Sequence, residues 1–332
     1  MNKKCIGCGS TLQSINISKE GFVKSSVIDN ADYCERCFKI KHYGEYSVLD
    51  KKIDFQGLIR NINSDSLASI VFLIDVLNIN ENIKSYINKF KNKKYILITK
   101  RDILPKSLKD KKITEYIKNQ TNAQDVMFIS SVKNYNIDEF LNKIEKDNVR
   151  RLYIVGFTNS GKSTFINHIL SSKSMKPVVT TSNIPNTTAN YITIKINPKL
   201  TIVDTPGFID KNAIYNFLDY NKLIKLYPKK EIRVKTFQVR PNYSVVINDI
   251  LRIDNISSKT NSFSFYMNDK LRYEKVKIKN DKLKTLPNLE KTLEEKTDVL
   301  INGLGFIRIT KKSQIKIYTL DTNLIEIRKS MI

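Results

Sequence analysis

The sequence predicts an α/β chain centred on a mostly parallel sheet, with a small cysteine-held head before it and a basic, β-rich module after it. Three observations predict this. All four cysteines fall within the first 37 residues. From about residue 66 to residue 203, short apolar runs alternate with helical stretches, the pattern of parallel strands whose faces are covered by helices. Beyond residue 222 the apolar positions recur at period two, interleaved with lysine and arginine, as in strands with one buried and one charged face.

The 332 residues leave room for two or three domains, read here as residues 1–45, 46–221 and 222–332. No apolar run has the length of a membrane span. Met1–Cys5 leads straight into the cysteine motif, so neither a signal nor a transit peptide is expected, and the setting expected is the reducing cytoplasm. The net charge of +24, from 57 Lys and Arg against 33 Asp and Glu, favours an anionic partner, nucleic acid first. The competing explanation is AT-rich coding, which also yields a chain rich in Lys, Asn and Ile and without Trp.

The head carries Cys5-Ile6-Gly7-Cys8 and Cys34-Glu35-Arg36-Cys37. A two-residue gap lets both thiolates of a pair bind one ion from a tight knuckle. Two knuckles complete a tetrahedral shell of four thiolates, for which zinc is the default. Disulfides do not suit a reducing compartment, and no thioredoxin-like context supports a redox pair. His42, in Lys39-Ile40-Lys41-His42-Tyr43, is read as part of a basic, aromatic surface strip because four thiolates already fill the shell.

In the middle domain the predicted strands are residues 70–74, 95–98, 126–129, 152–155, 192–196 and 200–203. The predicted helices are 81–91, 136–148, 162–170 and one opened by Pro105 and running to about Asn119. The strand at 152–155 leads into Gly156-Phe157-Thr158-Asn159-Ser160-Gly161-Lys162-Ser163. This is a G-x-x-x-x-G-K-S phosphate loop in the strand–loop–helix context its mechanism needs. Backbone amides of residues 159–164, including Ser160, Gly161 and Thr164, are placed to wrap phosphates at a helix N-terminus. Lys162 neutralises the outer phosphates, and the Ser163 hydroxyl binds magnesium. Asp204-Thr205-Pro206-Gly207 follows some 40 residues on. There Asp204 reaches magnesium through water and the Gly207 amide senses the terminal phosphate.

A guanine-type specificity motif, Thr99-Lys100-Arg101-Asp102, precedes the phosphate loop. The Asp102 carboxylate accepts two hydrogen bonds from a guanine edge, a pair adenine does not offer. Lys100 lays its aliphatic stem along the base. Ser130-Ser131-Val132-Lys133, after the next predicted strand, brings a backbone amide to the guanine carbonyl. In Ras-like GTPases the phosphate loop comes first, so the order here is rotated. Each string alone is weak; three at strand ends in this order are strong together.

These residues resemble the YqeH family of circularly permuted GTPases, which assist small ribosomal subunit assembly. The likeness runs through Cys5-x-x-Cys8-Gly9, Tyr33-Cys34-x-x-Cys37-Phe38, Lys41-His42-Tyr43, the Lys100/Asp102 pair with Leu104-Pro105-Lys106-Ser107, residues 155–164, Pro185-Asn186-Thr187-Thr188 and Asp204–Gly207. It covers about two thirds of the chain. The fold class it implies is a circularly permuted P-loop GTPase domain with an N-terminal four-cysteine zinc finger and a basic β-rich C-terminal domain. The ligands it implies are GTP or GDP, magnesium and zinc. Thr187 or Thr188 completes the magnesium shell, with Thr188 favoured. Asn159 stands where related GTPases hold a potassium ion, the plain alternative being a cap on the turn. Phe208 stands where Ras-like enzymes carry a water-orienting Gln, which implies slow intrinsic hydrolysis stimulated by potassium or by the assembled partner. Thr99 departs from the usual Asn that braces the phosphate loop, and Asn186 from a common Gly.

The C-terminal third holds 24 Lys and Arg against 12 Asp and Glu, half of the chain's excess charge. Residues 275–279 and 314–318 read as strands, residues 302–309 as a glycine turn into a further strand, and residues 286–300 as a short helix. Phe237, Tyr243, Phe263, Phe265, Tyr266 and Tyr273 either stack on RNA bases or fill a core. The function expected is a monomeric, GTP-hydrolysing assembly factor for the small ribosomal subunit that grips its rRNA through this module, without membrane or DNA partners. The alternatives are an RNA-binding protein with a degenerate nucleotide site, or a GTPase acting on the large subunit or tRNA.

Overall fold

A computed structural model describes residues 3–5, 10–15, 21–35, 54–121, 123, 125–173, 179–182, 191–218 and 220–332. The expectations for Cys8, Cys37, His42, Asn186, Thr187 and Thr188 lie outside these residues.

The central domain is three layers. Its seven-stranded sheet runs in the order β3-β2-β1-β4-β7-β6-β5, with β1 at Ala68–Asp75, β2 at Lys93–Thr99, β3 at Asp125–Phe128, β4 at Arg151–Gly156, β5 at Val179–Ser182, β6 at Tyr191–Lys195 and β7 at Thr201–Asp204. Strands β1 to β4 and β7 pair in parallel, whereas β5 and β6 are antiparallel. Side chains alternate across the sheet. Ile70, Phe72, Ile74, Ile96 and Ile98 face one core with α1 (Phe55–Ser64), α2 (Glu81–Ile87) and α3 (Asp110–Thr121). Val71, Leu73, Leu97, Leu152 and Ile154 face the other with α4 (Ile137–Lys146) and α5 (Lys162–Ser172). Both faces are covered, which is why these strands read as continuous apolar runs.

Two expected helices shift. The one assigned from Pro105 begins at Asp110. Arg101 fills the turn before it, donating to Asp110 Oδ1 and to the carbonyls of Leu104, Pro105 and Leu108. The helix expected over 81–91 ends at Ile87.

After α6 (Tyr220–Leu226) the chain builds two five-stranded antiparallel sheets. One runs β12-β9-β10-β16-β13 and the other β17-β14-β15-β11-β8. Their ranges are β8 Lys235–Val239, β9 Tyr243–Ile247, β10 Leu251–Asn255, β11 Asn261–Tyr266, β12 Tyr273–Lys277, β13 Asn288–Leu293, β14 Thr297–Ile301, β15 Gly305–Ile309, β16 Ser313–Thr319 and β17 Ile325–Lys329. The helix expected over 286–300 is therefore corrected to β13, a turn and β14. Leu286, Leu289 and Leu293 mimic helical spacing, but β13 is an edge strand paired only with β16, and charge along an edge strand is a usual defence against further pairing.

The centre of the second sheet, β14 and β15, is buried on both sides. Val299, Ile301, Ile307 and Ile309 pack against the first sheet. Leu300 and Phe306, on the opposite face, join the core of the central domain with Met331 and Ile332. Burial of both faces of β14 and β15 locks this module onto the central domain. Phe263, Phe265 and Tyr266 are buried, which assigns them to the core. Phe237 and Tyr273 are half-buried and stack on each other, with Lys235 Nζ 4.6 Å from the Tyr273 ring centre.

Candidate nucleotide site

The C-terminal ends of β1, β2 and β4 converge, and a hydrogen bond joins the two halves of the site. Thr99, the last residue of β2, donates its hydroxyl to the Ser160 carbonyl at 2.8 Å, with the Ile74 carbonyl 3.1 Å away. The residue that departs from the usual Asn thus keeps the bracing contact with the phosphate loop.

Lys100 follows with φ of 61°, turning the chain sharply. Its ammonium meets Asp75 Oδ2 at 2.6 Å, which draws the Lys100 stem across the end of β1. Ser130 donates to Asp102 Oδ1 at 2.6 Å, and the Arg101 amide bonds to the Ile129 carbonyl. The Asp102 carboxylate and the loop carrying Ser130 are therefore one unit. Ser131, half-exposed beside them, carries the next backbone amide.

On the phosphate side, Gly156 has φ of +154°, and a Cβ there would stand 2.6 Å from the Leu73 carbonyl oxygen; only glycine lets the loop pass so close to β1. Lys162 folds back, its ammonium donating to the carbonyls of Gly156 and Phe157 at 3.1 and 3.2 Å. Burial pushes the lysine down to about 8, and Asp204 partly opposes this. Burial likewise pushes the Asp204 carboxyl up to about 6, with Lys162 opposing. Asp204 Oδ1 and Ser160 Oγ are buried without a hydrogen-bond partner among the described residues. An orphaned carboxylate oxygen opposite a buried ammonium is a strained arrangement unless a cation and phosphates complete it. The donor set of Ser163 and Asp204, both oxygens, suits magnesium.

The segment after Gly207 is sewn to the phosphate loop. Phe157 and Phe208 form a parallel bridge. The Thr158 amide donates to the Phe208 carbonyl at 2.8 Å, and the Phe208 amide to the Gly156 carbonyl at 3.0 Å. A side chain at Gly207 would fall 2.8 Å from Lys162 Nζ. The Phe208 ring is fully buried among Phe55, Phe72, Tyr86, Phe90 and Phe157. It is an anchor in the core. Asn159, at φ 65°, occupies a left-handed position that Asn tolerates well.

Sequence reasoning missed a polar belt around this site. Asp75, the last residue of an apolar strand, was the one visible signal. Tyr215 Oη accepts from Thr158 Oγ1 at 3.1 Å and from the Asp210 amide at 3.2 Å. The Asp210 carboxylate accepts from Asn80 and Asn82, and Asn80 also reaches Asn302 in the C-terminal module. The Gly303 amide donates to Asn78 at 3.0 Å.

In the head, Cys5 and Cys34 are both buried and lie together, the Cys34 amide donating to Cys5 Sγ at 3.1 Å. Amide donation to sulfur suits a metal-binding thiolate, and Leu12 and Val23 pack around the pair.

A family model described as 50S ribosome-binding GTPase matches residues 151–259, which include the phosphate loop. NO-associated protein 1 of Arabidopsis thaliana is 25% identical to the chain over 71% of its residues, which correspond to 48% of that protein. GTPase Der of Karelsulcia muelleri (strain GWSS) is 31% identical over 54% of the chain and 42% of its own length. YqeH of Bacillus subtilis (strain 168) is 29% identical over 341 aligned residues, covering 92% of both chains. The chain is a GTPase similar to YqeH over most of its length. The YqeH likeness covers nearly all of the chain, whereas the Der likenesses cover between 54% and 62% of it. Among the described residues no helix is long and apolar enough to cross a membrane.

Proposed function

We propose that this YqeH-like GTPase is a circularly permuted, magnesium-dependent enzyme that acts in the cytoplasm on ribosome assembly, at the small subunit. The observation that carries the nucleotide reading is the Thr99–Ser160 hydrogen bond at 2.8 Å, which ties the base-reading turn to the phosphate loop and speaks against a degenerate site. Asp102, held by Ser130, reads guanine. Lys100 backs the base. The amides of Ser160, Gly161, Ser163 and Thr164 and the Lys162 ammonium grip the phosphates. Ser163, Asp204 and Thr188 hold magnesium, which when bound neutralises charge on the phosphates being split. Asn159 holds potassium, and the Gly207 amide senses the terminal phosphate. Cys5, Cys8, Cys34 and Cys37 hold a structural zinc.

The coupling reading is supported by the contacts of Asp210. Three residues beyond Gly207, it bonds to Asn80, which in turn bonds to Asn302 of the C-terminal module. Nucleotide state then biases the position of a module carrying half of the chain's excess positive charge, suited to rRNA phosphates.

A second reading, action on the large subunit, is favoured by the 50S-binding description of the matching family model. Cosedimentation with separated subunits, with GDP or a non-hydrolysable GTP analogue, decides between them. The expected result is GTP-dependent binding to the small subunit that falls steeply with salt; binding confined to the large subunit establishes the second reading. Asp102→Asn should exchange guanine for xanthine preference, and equal wild-type affinity for ATP and GTP would overturn the nucleotide reading.

A further inference from the structure

We propose that Tyr227 forms a wall of the guanosine pocket and contacts the bound nucleoside, so that the C-terminal module itself takes part in nucleotide binding. The inference rests on the guanine-nucleotide reading of Lys100 and Asp102 and adds a residue outside every nucleotide motif.

Tyr227 is the residue immediately after α6, where the chain passes from the GTPase domain into the β-rich module. Its ring centre lies 5.7 Å from Lys100 Nζ, and it lines one cavity with Asp75, Asn159 and Ser160. Lys100 is pinned to Asp75 at 2.6 Å, so the lysine stem that backs the base ends beside this ring. The ring is half-buried and faces a cavity bounded on its other side by the phosphate loop. A tyrosine in that place offers a flat apolar surface to a sugar or base edge and a hydroxyl at the rim.

The ring is held from behind by the module. Asn268, buried in the turn after β11, donates to the carbonyls of Lys225 and Tyr227 at 2.9 and 3.1 Å. Both amide hydrogens of Asn268 are thereby spent on the segment that carries Tyr227. The tyrosine is a projection of the module into the nucleotide pocket, set in place by a buried residue about 40 positions further along the chain.

The test uses the full chain, whose lack of tryptophan makes Tyr227→Trp a single-site reporter. Tyr227→Ala should raise the Kd for both GDP and GTP about tenfold, in line with the loss of an aromatic contact to a base, and Tyr227→Phe should restore most of the affinity. In Tyr227→Trp, GDP should change the emission and inorganic tripolyphosphate, which fills the phosphate loop alone, should leave it unchanged. Wild-type GDP affinity in Tyr227→Ala overturns the proposal. So does a Trp signal that responds equally to tripolyphosphate, for the ring would then report loop movement and not the nucleoside. If the alanine variant does not fold, the tryptophan reporter alone decides. A wild type without guanine preference brings down the underlying reading as well. Intact guanine preference with either negative result brings down this inference alone.

Discussion

Asn80 Nδ2 lies 3.0 Å from Asp210 Oδ2, joining residues 130 positions apart. The first follows β1; the second lies three residues beyond Gly207. Because Asn80 is also 3.3 Å from Asn302 Oδ1, the proposed coupling predicts that a shift of Asp210 on loss of the terminal phosphate withdraws a contact to the C-terminal module. Asn80→Ala should destabilise the fold by about 1–3 kcal/mol, since it leaves buried polar groups unpaired. It should also bring subunit affinities with GTP and GDP together, while guanine preference is unchanged. Paired cosedimentation titrations check this, and an undiminished GTP-to-GDP ratio would count against coupling through Asp210.

Thr99→Val removes the hydroxyl that braces Ser160 at nearly constant volume. GDP affinity should fall roughly 5- to 30-fold, the equivalent of about 1–2 kcal/mol, while Thr99→Asn should stay near wild type. Isothermal titration of the three proteins measures it.

Phe208 is fully buried among five aromatic rings. Phe208→Gln should therefore not create a water-orienting residue. It should cost about 3 kcal/mol or more from lost packing and a buried amide, with no gain in turnover. Urea unfolding and single-turnover hydrolysis are the measurements, and an accelerated rate would show that this segment leaves the core when nucleotide binds.

Hydrolysis should run faster in potassium than in sodium at equal ionic strength. Asn159 sits at φ 65°, so Ala there changes the backbone as well as the side chain. Asn159→Gly is the cleaner probe because glycine accepts that φ without strain. It should keep nucleotide binding and erase the cation difference in measured turnover.

One zinc per chain is expected in freshly purified, reduced protein. Cys5→Ser should release it and unfold the head, leaving GDP affinity largely intact because the small cluster of Cys5, Leu12, Val23 and Cys34 is separate from the cores under the nucleotide site. Metal analysis and GDP titration of the variant test both halves of the statement.

What was legible in the sequence was whatever is local. The phosphate loop, Asp204–Gly207 and Thr99–Asp102 fall at strand ends because an apolar run, a turn and a helix start are contiguous signals. The two readings of the C-terminal aromatics, RNA-stacking or core, follow from period two, which names two faces without saying which is wet; Phe263 and Phe265 face inward, while Phe237 and Tyr273 reach the rim. The helix read over 286–300 failed because Leu286, Leu289 and Leu293 fit a helix as well as an edge strand, and only pairing with β16 decides. Asp210, Asn302 and Tyr227 were not legible at all. Each looks like an ordinary loop or linker residue until the fold brings a partner from a distant part of the chain.

The position of β1 between β2 and β4 has a consequence for birth of the molecule. During synthesis the N-terminal side of the chain emerges first and can begin to pair. Strands β1, β2 and β3, with the Asp102–Ser130 contact at their ends, leave the exit tunnel before the phosphate loop does. The base-reading half of the pocket can thus assemble early, with one edge of β1 open and waiting for β4. On the proposed reading of Asp102, a nascent chain of this protein passes through a stage in which the base-reading surface is folded and the phosphate loop is not yet beside it.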